Sequence, residues 1–198
     1  MHAALKPGVF LACLLPFLWL AYAAVTGELG PDPAESIMQV TGEWSLRLVA
    51  LTLLVTILRQ WLGKPWPMRL RRMLGLFTFF YACVHLASFG HFYIGWTPAV
   101  LAEELLERPY ITVGFIAWML MLPLALTSTK SLQRRLGRNW RRLHRLVYPA
   151  AVLACLHLVW QIRADAAEAL AYSLIFLLLL AWRVQRHLAS GRGAMSRP

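Results

Sequence analysis

Six long apolar runs alternate with short polar stretches along this chain. They cover about 8–25, 44–62, 73–93, 110–126, 143–162 and 169–185. Each approaches or exceeds the length of helix that crosses a bilayer core about 30 Å thick. The pattern predicts an all-α membrane protein, a six-transmembrane helix bundle occupying 1–185, followed by a polar, unstructured cytoplasmic tail at 186–198. A shorter segment, 98–106, reads as an interfacial helix, and the remaining linkers read as loops. The first run is uncharged from Pro7 through Gly27. Its competing reading is a signal peptide, with Lys6 as the basic start and Ala21-Tyr22-Ala23 as a small-residue cleavage site. The many further runs favour a span.

Composition agrees: the 198 residues are 59% hydrophobic with a mean hydropathy of +0.56, which excludes an ordinary soluble domain. The net charge of +11 is informative by where it sits. All nine acidic residues fall in the first, third and fifth linkers. Seventeen of the twenty basic residues fall at the N-terminus, in the second and fourth linkers and towards the C-terminus. Basic linkers stay in the cytoplasm, so both termini are expected there, and spans 3 and 5 run in parallel from inside to outside. The basic residues lie in short linkers beside apolar spans, which points to anionic lipid and away from nucleic acid. Tryptophans 19, 44, 61, 66, 96, 140 and 160 fall near span ends, where interfacial anchors belong. Cys13, Cys83 and Cys155 sit in apolar runs and form neither a disulfide framework nor a zinc pattern.

Histidines carry the candidate chemistry. An ionisable side chain inside a span is costly and normally has a partner or a task. A single such histidine more often makes an interhelical hydrogen bond than binds a metal. Here His85 lies about thirteen residues into the third run, counted from Arg72, and His157 about twelve into the fifth, counted from Arg145. Parallel spans place them at similar depth towards the outer face, where two imidazoles could hold a haem iron from both sides. His144 lies at the cytoplasmic end of the fifth run, and its counterpart on the third falls near Arg71 or Arg72. Thirteen residues of ideal helix turn through roughly 220°, so His144 and His157 face differently unless Pro149, between them, kinks the helix. His144 is therefore an extension of the site, for a second haem. His91, six residues beyond His85, cannot share its face and is a weak candidate metal ligand. Arg47, near the outer end of the second run, either snorkels to the interface or pairs with a haem propionate. No CxxCH occurs, so covalent haem attachment is not expected.

Several stretches resemble one family. They are LALTSTKSLQRRLGRNWRRLHRLVY followed by His157, LLPFLWLAYA in the first run, RRMLGL before His85, and RPYITVGFIAW in the fourth run. They are similar to the MsrQ (YedZ) family of haem-binding membrane subunits, in the ferric-reductase-like transmembrane class, over nearly the whole chain. The resemblance implies a bacterial inner-membrane b-type cytochrome with one haem b, or two, in a methionine sulfoxide reductase system that repairs oxidised periplasmic proteins. Haem ligands would be His85, His157 and His144. Electrons would pass to a periplasmic molybdopterin reductase subunit of MsrP type, from quinol or a cytosolic flavin reductase. FMN is a further cofactor of the family, and no motif here places it. No dinucleotide fingerprint is present, so a separate electron donor is expected.

Two other readings stand beside electron transfer to a reductase partner: a self-contained transmembrane ferric or metal reductase, and a haem-free membrane scaffold. Within the fourth linker, Lys130, Arg134, Arg135, Arg138, Arg141, Arg142 and Arg145 occur with no acidic residue. They set orientation and bind lipid, or they also dock the electron donor, since this linker leads to His144.

Overall fold

The computed structural model describes residues 5–161 and 166–195. Among the described residues all regular structure is helical, and six helices are long and apolar enough to cross a membrane. Arg163 and Asp165, expected in the turn before the last span, lie outside the described residues. The helices are α1 (Leu5–Thr26), α2 (Pro33–Leu62), α3 (Met68–Phe89), α4 (Pro98–Glu107), α5 (Pro109–Leu126), α6 (Lys130–Leu136), α7 (Arg138–Leu143), α8 (Val147–Trp160) and α9 (Ala166–Met195). A π-helical turn, Gly90–Ile94, extends α3, and a 3-10 turn, His144–Leu146, leads into α8.

Several polar stretches expected as loops are helix. α2 begins eleven residues before the apolar run, because Asp32 caps it: its Oδ1 accepts from the Glu35 N–H at 2.9 Å, and Pro33 starts the first turn. A capping carboxylate with proline just after it needs no apolar neighbours to start a helix. The basic fourth linker folds into α6 and α7, broken at Gly137, whose φ of +50° suits a residue without a side chain. Pro149 lies in the first turn of α8, and its missing N–H leaves the carbonyl four residues back, in the 3-10 turn, without an α-helical donor. The irregular backbone comes earlier, in the 3-10 turn that bears His144. α9 runs on to Met195, past the expected end of the span at 185.

Helix α2 is the hub. It packs most extensively on α3 and also meets α1, α8 and α9, while α5 packs chiefly on α8. One core joins α1, α2 and α3 around Tyr81, and a second joins α2, α8 and α9 around Leu53. Tyr81 does more than fill space. Its hydroxyl accepts from the Phe17 N–H at 3.1 Å and donates to the Cys13 carbonyl at 2.8 Å. Those two groups would otherwise pair directly across one turn of α1. The hydroxyl is thus inserted into the α1 ladder next to Pro16, a standard way to bend a helix. The outward faces of α1 and α9 expose Leu11, Leu15, Val25, Leu170 and Leu177, as suits lipid contact.

Candidate functional site

His85 on α3 and His157 on α8 meet inside the bundle, with ring centroids 6.3 Å apart and ring planes at 84°. Each ring is held in the same way. His85 Nδ1 lies 3.0 Å from the Met38 carbonyl of α2, with Thr41 Oγ1 at 3.4 Å. His157 Nδ1 lies 2.7 Å from the Tyr110 carbonyl of α5. A carbonyl can only accept, so in both rings Nδ1 carries the proton and Nε2 keeps its lone pair. That is the tautomer a metal ligand needs, and a hydrogen bond of this kind raises ligand basicity.

Both accepting carbonyls are reached through a glycine. Gly42 lies four residues beyond Met38, and Gly114 four beyond Tyr110, so each glycine stands over the carbonyl that its histidine uses. A Cβ built at Gly42 would lie 3.2 Å from His85 Cε1, and one at Gly114 only 2.8 Å from His157 Nδ1. The two imidazoles therefore rest against bare helix backbone. Sequence reading missed both glycines, although a glycine inside a membrane helix facing a candidate ligand is a usable signal.

Two imidazoles are an incomplete coordination shell for a bare ion. Among the described residues no group of three or more His, Cys, Asp or Glu side chains could hold a metal ion. The donor set suits a metal that brings its own equatorial ligands and lacks two axial ones, as haem iron does. His85 and His157, each with one nitrogen unclaimed and their ring centroids 6.3 Å apart, are the residues that would hold such a group.

Other candidates lie elsewhere. His91 is exposed on the π-helical turn, against Phe92, and does not join the pair. Arg47 is already engaged: it donates to Glu43 Oε2 at 2.7 Å and to Tyr172 Oη at 2.9 Å, with its guanidinium over Trp44. His144 belongs to a separate cluster. Its ring stacks on Trp140 with centroids 3.9 Å apart, and its Nε2 lies 3.2 Å from Thr127 Oγ1. Thr127 spends its own proton on the Pro123 carbonyl at 2.6 Å, so it accepts from His144, whose Nε2 is then the protonated nitrogen. This is the reverse of the tautomer in the His85–His157 pair. Trp140 Nε1 donates to the Thr127 carbonyl at 3.0 Å, which fixes the stack. Arg71 lies within electrostatic reach of both His144 and Arg183. Arg183 donates to Tyr148 Oη and to the Leu53 carbonyl, each at 2.6 Å, tying α9 to α8 and α2. Cys83 and Cys155 are interhelical packing groups, accepting from Trp118 Nε1 at 3.3 Å and lying 3.5 Å from Ser173 Oγ.

A six-span bundle that brings two half-buried imidazoles within 6.3 Å of each other defines a class, and the comparison agrees: residues 41–155 match the family described as ferric reductase like transmembrane component. The matched segment is more than half of the chain; it includes His85 and His144 and stops two residues before His157. Individual relatives extend the likeness to nearly every residue. The protein-methionine-sulfoxide reductase heme-binding subunit MsrQ of Polaromonas naphthalenivorans (strain CJ2) is 44% identical over 200 residues, 99% of this chain and 91% of that protein. Proteins of the same name from Xanthomonas campestris pv. campestris (strain B100) and Xanthomonas axonopodis pv. citri (strain 306) are each 45% identical, over 96% and 94% of this chain. They are themselves covered over 89% and 88% of their lengths. The chain belongs to the MsrQ family of ferric-reductase-like, multi-pass membrane proteins.

Proposed function

We propose that this chain is the haem-binding, electron-transferring membrane subunit of a methionine sulfoxide reductase system, with His85 and His157 as the axial ligands of one haem b. The observation that carries this reading is the matched pair: two half-buried imidazoles, each with Nδ1 on a backbone carbonyl, Nε2 unclaimed and a glycine beneath it. The names of the relatives support the same system. Bound haem would supply one-electron transfer. The chain's part is to hold the two ligands in the right tautomer and to keep water from the site with the apolar helices around it. The charge pattern supports both termini in the cytoplasm of a bacterial inner membrane and the histidine pair towards the outer face. Electrons would then leave on the periplasmic side, to a molybdopterin reductase partner of MsrP type. Quinol or a cytosolic flavin reductase would supply them, and FMN would come with that donor side. His144 would serve a second haem, facing Arg71.

Replacing His85 or His157 with alanine tests the ligand assignment. Each variant should insert normally and lose the Soret absorbance of the outer haem. Full haem retention in both would rule the pair out. His144→Ala should keep that haem and lose at most a second one. A further measurement, electron delivery with and without the periplasmic partner, separates this function from a self-contained metal reductase.

A further inference from the structure

Of the seven basic residues between 130 and 145, the structure singles out four. Arg138, Arg141, Arg142 and Arg145 together line an open cleft of about 470 Å³. Arg138 and Arg142 also line an adjoining hollow of about 380 Å³, with Leu136 and Asn139. Arg134 and Arg135, on α6, line neither.

The arrangement is unfavourable for the chain alone. Arg138 and Arg141, and Arg142 and Arg145, are three residues apart, and Arg138 and Arg142, and Arg141 and Arg145, four, which sets like charges side by side at about 0.2–0.5 kcal/mol per pair. Among the described residues the ion pairs are Arg47–Glu43 and Arg108–Glu104, so no carboxylate relieves the cluster. The segment from Thr127 to Arg145 holds no acidic residue at all. Helix α7, with six residues, has little helical stability of its own. Four arginines line one cleft, and a guanidinium presents paired N–H donors in the geometry that phosphate oxygens accept.

We propose that the cleft lined by Arg138, Arg141, Arg142 and Arg145 is a phosphate-binding site, filled by a phosphate group of a lipid headgroup or of a soluble phosphate-bearing molecule. The site adjoins the chemistry of the bundle. Arg141 follows Trp140, Arg145 follows His144, and those two rings are stacked. An occupant would therefore sit beside the His144 cluster, on the side where donor electrons are expected to arrive.

The test compares two double variants of the full chain that remove equal charge. Arg141→Gln with Arg142→Gln removes two guanidinium charges from the cleft, while Arg134→Gln with Arg135→Gln leaves it intact. In uncharged detergent, inorganic phosphate and pyrophosphate binding is read by calorimetry. In nanodiscs, retention of phosphatidylglycerol over phosphatidylcholine is read by native mass spectrometry. If the occupant is soluble, the cleft pair weakens phosphate binding at least about ten-fold, the loss of one charge-assisted contact, and the control pair leaves it nearly unchanged. If the occupant is lipid, phosphate binds weakly throughout, and only the cleft pair loses the phosphatidylglycerol preference. Equal losses in both pairs, or no phosphate binding and no lipid preference in the parent chain, overturn the proposal. Neither readout depends on haem, so this result stands apart from that of the histidine variants.

Discussion

At the scale of single residues, the His85–His157 site depends on two side chains that are absent. Ordinarily, replacing a glycine inside a helix with alanine stabilises it by up to about 1 kcal/mol. Gly114→Ala should do the opposite for cofactor binding, because the new Cβ would fall 2.8 Å from His157 Nδ1 and push the ring off the Tyr110 carbonyl. Loss of such a supporting hydrogen bond typically weakens a metal site by about 10- to 100-fold. Gly42→Ala should be milder, since its nearest contact with His85 is 3.2 Å. Haem-to-protein ratios from the pyridine haemochrome assay check the order; equal, full occupancy in both variants would refute the cradle. The histidines themselves were legible in the sequence from their apolar surroundings and matching depth. Gly42 and Gly114 were not, because nothing local says which face of α2 or α5 turns towards an imidazole.

Single helices bring a different dependence. α1 is held to α3 partly through Tyr81, the largest fully buried side chain among the described residues, with its hydroxyl inserted between Phe17 N–H and Cys13 C=O. Tyr81→Phe removes both hydrogen bonds from a setting without water, where an unmet backbone group costs about 1–3 kcal/mol. Stability against denaturant in a fixed detergent should fall by about that amount, with α1 becoming more accessible to protease. An unchanged midpoint would mean that α1 closes its own ladder once the hydroxyl is gone. Boundaries were the least legible feature at this scale. The apolar run located the second span at 44–62, but the helix starts at Pro33, because a cap and a proline start a helix without regard to hydropathy. The basic linker was legible as charge and not as α6 and α7.

For the whole molecule, the expected orientation rests on charge asymmetry. A reporter that works only in the cytoplasm should be active when fused to the C-terminus. A reporter that works only outside should be active when placed in the 94–109 linker. The reverse pattern would overturn the orientation and move the histidine pair to the cytoplasmic side. The same molecule ties its last helix to its centre through Arg183, which reaches Tyr148 and the Leu53 carbonyl from α9. That tie joins residues 130 positions apart in the chain, and no run or motif in the sequence announces it.

The sequence by itself determined six membrane-length helices, the alternation of acidic and basic linkers, and the positions of His85 and His157 along their apolar runs. These are sums and distances along one chain, and lipid enforces them through hydropathy and backbone hydrogen bonding alone. Tertiary structure decided how each helix is rotated. A span that is apolar on every side carries no polar stripe to mark its inner face, so rotation follows from close packing: Gly42 under His85, Gly114 under His157, Tyr81 in the ladder of α1. Only that packing turned two histidines of similar depth into a pair of imidazoles 6.3 Å apart, each with its free nitrogen left for a ligand.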